Sequence, residues 1–521
     1  MAGLTLFLGL VAATIVLAPL AQRLTLPYPV VLLIFGVLLA FVPGVPTPSV
    51  DPELILPLVL PPLLFAAARR TSWRQFLDNR RPIAILAVAL VLVTAFAVGV
   101  VLQQLVPGLP LVAALALGAA VGPPDAVAAT AVAQRLKLPR RLRTILEGEG
   151  LSNDATALVL YDVAVASTLT GAFSPGHAGL ALAVAIGVGV AVGLVVAGAT
   201  RILLGKLPPH PAGSALVLVM PFVAYAAADA AHGSGVLAVV TIALALSRYG
   251  DVESTQTRLV AGNMWEILEL TVTGVAFAFV GLEVRAVAQQ VPGPLTELVG
   301  QSLIVLGVVV GIRIFWMFVV GSIDERAHQH RTDEAEPHGW RELAITSWAG
   351  MRGVVTLAMV LSLPMGPQPF PERERLIFIA FVVIIGTVVV QGLTLPFVVK
   401  ALGVSASDDD IDDTQQQLIR RARDAGLQRL DEVRQRSDVD DDTAEHAREN
   451  AERMWHSLGY RPHDGDGRAS DEHATTTNAL KEQVLEAARN EVVNARSEKG
   501  MDPTIVDQVL RRLDSRGSQP E

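Results

Sequence analysis

Along residues 1–400 the chain alternates between long apolar runs and short interruptions that carry charge, proline or glycine. The edges of these runs predict helices over 3–22, 28–42, 53–69, 82–104, 110–134, 144–172, 178–204, 214–231, 234–247, 263–281, 296–322, 341–364 and 374–400. A helix needs about 20 residues to cover roughly 30 Å of bilayer hydrocarbon. Most of the runs reach that length; the second and ninth are short. The pattern predicts an all-α polytopic membrane protein with about thirteen transmembrane helices. A transmembrane barrel would show segments of about ten residues with alternating polarity instead. The first run lacks a basic start, so it reads as a span and not as a cleaved signal peptide.

The polar interruptions predict an orientation. One alternate set holds Arg23, then Arg69, Arg70, Arg74, Arg80 and Arg81, then Arg135, Lys137, Arg140, Arg141 and Arg143. It continues in register with Arg201 and Lys206, Arg248 and Arg258, and Arg326, Arg331 and Arg341. The intervening set holds only Arg285, Arg373 and Arg375. Basic residues collect on the cytoplasmic side. The N-terminus is therefore expected outside, the C-terminus inside, and the chain in the cell membrane as a multi-pass protein.

Composition sharpens this picture at two points. Of 41 Lys and Arg and 50 Asp and Glu, residues 401–521 hold 17 and 27, which makes this part strongly acidic and leaves residues 1–400 near neutral. The expected domains are thus a transmembrane unit, 1–400, and a cytoplasmic, largely helical tail, 401–521. In the tail, 414–436 and 479–496 read as polar helices and 464–478 as a linker. Either solvated helices or a regulatory role suits this pattern, and the acidity argues against nucleic-acid partners. Cysteine is absent, which excludes disulfides and thiolate chemistry.

Charged residues inside the apolar runs are the informative exceptions. Asp154 stands beside Asn153 in EGEGLSNDATALVLYD, residues 147–162. Counted from the basic loops at 1.5 Å per residue, Asp125, Asp154, Arg313 and Arg352 all come out about 15–16 Å deep, near the bilayer midplane. A charge there costs about 2.5–3.5 kcal/mol on insertion scales, so it pairs or lines an aqueous pathway. At 100° per residue, Glu149, Asn153 and Thr156 share one face, and Asp154 points about 140° from Glu149. That separation assigns Glu149 to a structural bridge with an arginine and Asp154 to a transported ion. Glu147 lies shallower, at the interface. Asp162 lies toward the outer half, lining an entrance or serving a structural hydrogen bond.

Two runs are interrupted. The fifth contains GPPDAVAATAV, where Gly122, Pro123 and Pro124 stop the helix and Asp125 follows. The twelfth contains GMRGVVTLAMVLSLP, with Gly350, Gly353 and Pro364 around Arg352. An arginine at depth can complement the bare carbonyls of a half-helix end, and a helix restart favours an anion. The two runs are seven apart in order and cross in opposite directions, the arrangement that marks a secondary-transporter site. There is no GxxxxGK[ST] sequence for direct use of ATP. No filter repeat of a channel and no enzyme-like module of a membrane sensor is present. No cofactor and no enzymatic activity are expected.

EGEGLSNDATALVLY, GPPDAVAATAV, FAFVGLEV (277–284), GMRGVVTLA and QGLTLPFVV (391–399) resemble the monovalent cation:proton antiporter-1 family, whose bacterial Na+/H+ antiporters are related to animal Na+/H+ exchangers. The resemblance covers roughly residues 5–400. It implies inverted repeats, a crossing of discontinuous helices 5 and 12, and a homodimer with an elevator-like movement. It makes Asp154 the ion-binding, proton-coupled carboxylate that ligates Na+, with Asn153 its amide neighbour. It pairs Glu149 with Arg313 and puts Asp125 and Arg352 at the helix crossing. Asn153 in place of a second Asp implies electroneutral exchange, one cation for one proton. Pro124, Gly150 and Ala66 each stand where members carry an oxygen-bearing side chain, which leaves K+/H+ exchange as the rival reading.

The expected mechanism follows from the chemistry. Na+ takes oxygen ligands, as other hard cations do. Asp154 supplies charge; Asn153, Thr156 and unwound carbonyls near 123–125 supply neutral oxygens. Asp154 holds either a proton or a cation, and the empty ionised carrier crosses slowly because a bare charge is costly in the membrane.

Overall fold

The structure is a computed structural model that describes residues 2–24, 26–45, 52–70, 80–125, 138–171, 174–206, 211–248, 255–291, 293–328, 339–365, 369–404, 408–436, 448, 451, 452, 455, 474–495 and 503–517. Within these residues the regular structure is helical throughout.

The helices, in chain order, are α1 (Ala2–Arg23), α2 (Tyr28–Ala40), α3 (Pro52–Arg70), α4 (Arg80–Leu105), α5 (Leu111–Val121), α6 (Arg140–Thr170) and α7 (Pro175–Lys206). There follow α8 (Pro211–Ala230), α9 (Gly235–Arg248), α10 (Thr255–Gln290), α11 (Leu295–His328), α12 (Trp340–Trp348), α13 (Val354–Leu361) and α14 (Arg373–Leu402). The tail adds α15 (Asp408–Arg436), α16 (Ala474–Ala495) and α17 (Pro503–Gly517). Each predicted span meets one of the first fourteen. Seven, namely α1, α4, α7, α8, α10, α11 and α14, are long and apolar enough to cross a membrane. α2 and α9, expected to be short, have 13 and 14 residues.

Local chemistry sets several ends. Pro110 and Pro139 stand at the N-caps of α5 and α6, where a missing N–H costs nothing. Gly171 and Gly403 close α6 and α14 in the left-handed region that favours glycine. Two boundaries differ most from expectation. α6 begins at Arg140, so Arg143 lies inside it. α10 runs over 36 residues where 263–281 was expected, because its polar ends continue the helix past the apolar window. The twelfth run divides, where its interruption was expected, into α12 and α13 around the non-helical residues 349–353.

α14 is the buried centre, with 67% of its apolar window inside the protein, against 22% for α1, α7 and α11. Those outer helices turn Phe7, Val16, Val195 and Phe315 outward, as a lipid-facing surface requires. Small residues permit the tightest contacts. A methyl on Gly36 or Gly281 would overlap the backbone of Ala278 or Leu33, so α2 and α10 meet backbone to backbone. α4 and α14 carry π-helical segments at Ile85–Leu90 and Thr387–Gln391.

The tail departs from the expectation of solvated helices. Leu418, Ile419 and Ala422 of α15, Val484, Ala488 and Val492 of α16, and Val506, Val509 and Leu513 of α17 form a buried core around Trp455, which is fully enclosed. α17 was not expected at all, and α16 begins at Ala474, inside the anticipated linker. These helices are polar on average, yet each keeps one apolar stripe, and three stripes facing one another suffice for a small core.

Candidate functional site

α5 ends at Val121, and residues 122–125 leave the helix as Pro123 and Pro124 require. The second half of the predicted fifth span, from residue 126, lies outside the described residues. α12 ends at Trp348 and α13 resumes at Val354. The two breaks touch. The Asp125 backbone N–H donates to the Met351 carbonyl at 2.7 Å. Gly353 packs so closely on the Asp125 carboxylate that a methyl group there would overlap it.

Each broken end has a buried arginine. Arg352, 2% exposed, donates from Nε to the Val121 carbonyl at 2.7 Å and from a terminal nitrogen to the Gly122 carbonyl at 3.0 Å. It also donates to its own loop at the Gly350 carbonyl. The arginine of one break therefore caps the other break's half-helix, where orphan carbonyls and the negative dipole end face no further turn. Arg313 on α11 does the same for α12, donating to the Thr346 carbonyl at 3.3 and 3.0 Å. Farther out, Arg373 donates to the carbonyls of Leu363 and Leu361, both at 2.8 Å, beyond and at the end of α13.

The predicted acids fall around these caps. Glu149 and Arg313, each 1% exposed, form a two-point pair at 2.5 and 2.9 Å. Asp154 is 6% exposed and close enough to Asp125 for their charges to interact. Asn153 is fully buried and donates from Nδ2 to the Pro124 carbonyl at 3.0 Å, tying α6 to the first break. Its Oδ1 is buried with no hydrogen-bond partner among the described residues. Thr156 is buried in the same helix. Glu147, expected at the interface, is enclosed by protein, whereas Asp162 is exposed.

Of the carbonyls near 123–125 expected as neutral ligands, that of Pro124 accepts the Asn153 amide and keeps a second lone pair. The Asn153 amide oxygen, without a partner of its own, is a further neutral donor atom beside it.

Sequence reasoning missed five contributors. Thr387 Oγ1 accepts the Arg352 backbone N–H at 3.0 Å and itself donates to the Val383 carbonyl at 2.8 Å, so α14 holds the second break in place. Its signal was available: a lone hydroxyl in the apolar run IIGTVVV. The carbonyls of Thr346 and Met351 left no signal, because backbone groups are the same in every residue. Tyr161 and Ser362, bonded at 3.1 Å, add an outer link between α6 and the end of α13.

Two interacting carboxylates, Asp154 buried and Asp125 partly exposed, together with a buried, unpartnered amide oxygen suit a hard cation. The family model described as "Sodium/hydrogen exchanger, transmembrane" matches residues 10–401. The chain is 33% identical to a Na+/H+ exchanger of Mycobacterium tuberculosis over 98% of its own length and 95% of the relative's. It is 30% identical to a sodium, potassium, lithium and rubidium/H+ antiporter of Bacillus subtilis, covering 72% of this chain and 58% of that one. In fold it is similar to the sodium proton antiporter of Methanocaldococcus jannaschii, with a TM-score of 0.58 and 18% identity, over 78% of this chain and all of that one.

Proposed function

The chain belongs to the sodium/hydrogen exchanger family, and on that footing we propose that it exchanges Na+ or Li+ for H+ across the cell membrane, one for one, with Asp154 as the shared site. It is a multi-pass membrane transporter and not an enzyme.

The charge balance of the site carries the stoichiometry. Three acids, Asp125, Glu149 and Asp154, stand with two arginines, Arg313 and Arg352, around the helix breaks, all of them buried except the partly exposed Asp125. Glu149 neutralises Arg313, and Asp125 lies at the break that Arg352 caps. One negative charge remains. A buried charge without compensation is strongly disfavoured. One proton or one monovalent cation on Asp154 makes the region neutral; neither leaves it charged and unable to cross, and both make it positive. Competition at one carboxylate couples the two flows without a further device.

Asn153 Oδ1 and Asp125 complete the oxygen set, and Thr156 stands one turn beyond on α6. The reading places thirteen crossings over residues 1–400, the N-terminus outside and the acidic tail, 401–521, in the cytoplasm, in a homodimer. K+ is the second candidate cargo, favoured by Pro124, Gly150 and Ala66, none of which supplies a side-chain oxygen to a tighter site.

The test is recovery of a pH-sensitive dye in proteoliposomes with an acid interior, on addition of Na+, Li+ or K+, with and without a voltage clamp. The expected result is recovery with Na+ and Li+ that ignores the clamp, and its loss in Asp154→Asn protein that still purifies as a folded species. Substantial exchange by Asp154→Asn refutes the site; recovery with K+ alone moves the cargo to potassium.

A further inference from the structure

Among the described residues, two joins hold the tail to the transmembrane unit. The first is covalent: α14 ends at Leu402 and α15 begins at Asp408, so the chain keeps the tail within about 20 Å of the end of α14. The second is a contact. α17 lies against α10, and Arg511 meets Glu266 at 2.6 Å. At 100° per residue Arg511 points about 160° away from Val509 and Leu513, which belong to the core around Trp455. One side of α17 thus closes the tail's core and the other reaches α10. The anchor on α10 is firm. Trp265, beside Glu266, is buried and stacks on Phe65 of α3 with ring centroids 4.7 Å apart.

The two joins fall on different groups of helices. α14 is bonded to the second break through Thr387 with Arg352 and Thr394 with Trp348. Hydrogen bonds continue from there through α5, α6, α11 and α12. α10 packs instead on α2, backbone to backbone, and on α1, where a methyl on Gly274 would overlap Thr14. Beside Asp154 the contact between the groups is apolar: Leu151 and Ala155 share a cluster with Phe65, Ala66 and Trp265. Apolar contacts are non-directional and permit sliding, whereas an ion pair fixes one relative position.

We propose that the tail is a strap between the site-bearing helices and α10, and that its Arg511–Glu266 contact holds one access state and slows exchange. This rests on the antiporter reading above, in which one bundle rocks against another around the site. A strap from α14 to α10 spans both groups, so their relative movement must stretch or release it. Both partners of the contact are half-exposed. It therefore opens at the modest cost of a surface ion pair, which makes it a brake on exchange and not a lock.

Arg511→Glu, Glu266→Arg and the combined swap are compared with the unaltered protein in the proteoliposome dye assay. Each single variant exchanges about two- to fivefold faster, the factor that one exposed ion pair supplies. The half-saturating Na+ concentration stays within about twofold, because no group at Asp154 has changed. The swap restores the pair with reversed sign and returns the rate to that of the unaltered protein. The chain has no cysteine, so Arg511→Cys combined with Glu266→Cys can be joined selectively by a short bismaleimide. Joining slows exchange, and the reagent leaves the unaltered protein as it was. Unaltered rates in both single variants overturn the proposal, as do a swap that stays fast and a joined pair that exchanges as fast as the unjoined one. Single variants slower than the unaltered protein overturn it too, since the contact would then support exchange. Those outcomes leave an exchanging protein; no exchange by the unaltered protein with any alkali cation overturns the antiporter reading instead.

Discussion

Removing one member of the Glu149–Arg313 pair should harm this protein far more than removing both. The two side chains are each 1% exposed and joined at 2.5 and 2.9 Å. Glu149→Leu leaves a buried guanidinium without its counter-charge, a loss of about 3–5 kcal/mol. Arg313→Met strands the carboxylate and also withdraws both donors from the Thr346 carbonyl, which puts it at the upper end, about 5 kcal/mol. The double variant carries no buried charge here. Its remaining cost is the uncapped carbonyl at the end of α12, about 1–3 kcal/mol. The double-mutant cycle should therefore give a coupling of roughly 5–9 kcal/mol, against a few tenths for independent sites. Thermal unfolding of detergent-solubilised protein, followed by loss of the monodisperse species, ranks the variants. The expected order is unaltered, double, Glu149→Leu, Arg313→Met. A double variant as unstable as the sum of the singles would show that the charges do not compensate each other.

Gly353→Ala should displace the Asp125 carboxylate, which occupies the space the new methyl needs; stability falls by about 1–3 kcal/mol as in other overpacked sites, while the dye assay registers a disproportionate loss of exchange. A loss of exchange no larger than the loss of folded protein would remove Asp125 from the site. Trp455→Ala, in the enclosed core of the tail, should cost that core about 3–5 kcal/mol and open residues 408–517 to limited proteolysis. If the tail folds independently of the transmembrane unit, cation exchange survives; concerted loss of both would refute the two-domain division.

Apolar run lengths alone determined that the chain is a helical membrane protein, because bilayer thickness converts directly into residues per span. They also located the breaks: Gly122, Pro123 and Pro124 cannot continue a helix, and a charge such as Arg352 cannot sit deep in an apolar run without a partner. Asp154, Asn153, Glu149 and Arg313 stood out for the same reason. The choice of partners was a different matter. Arg352 caps the carbonyls of Val121 and Gly122, more than two hundred residues away in sequence, and nothing in either segment names the other. Carbonyl oxygens are invisible in a sequence, so the roles of Thr346 and Met351 appear only when the fold brings the half-helices together. The tail's buried core was hidden similarly: its helices are polar on average, and only the meeting of three apolar stripes shows that they enclose Trp455. Residue chemistry says which groups need partners; tertiary structure decides which of the available partners arrive, because burial and distance depend on every helix at once.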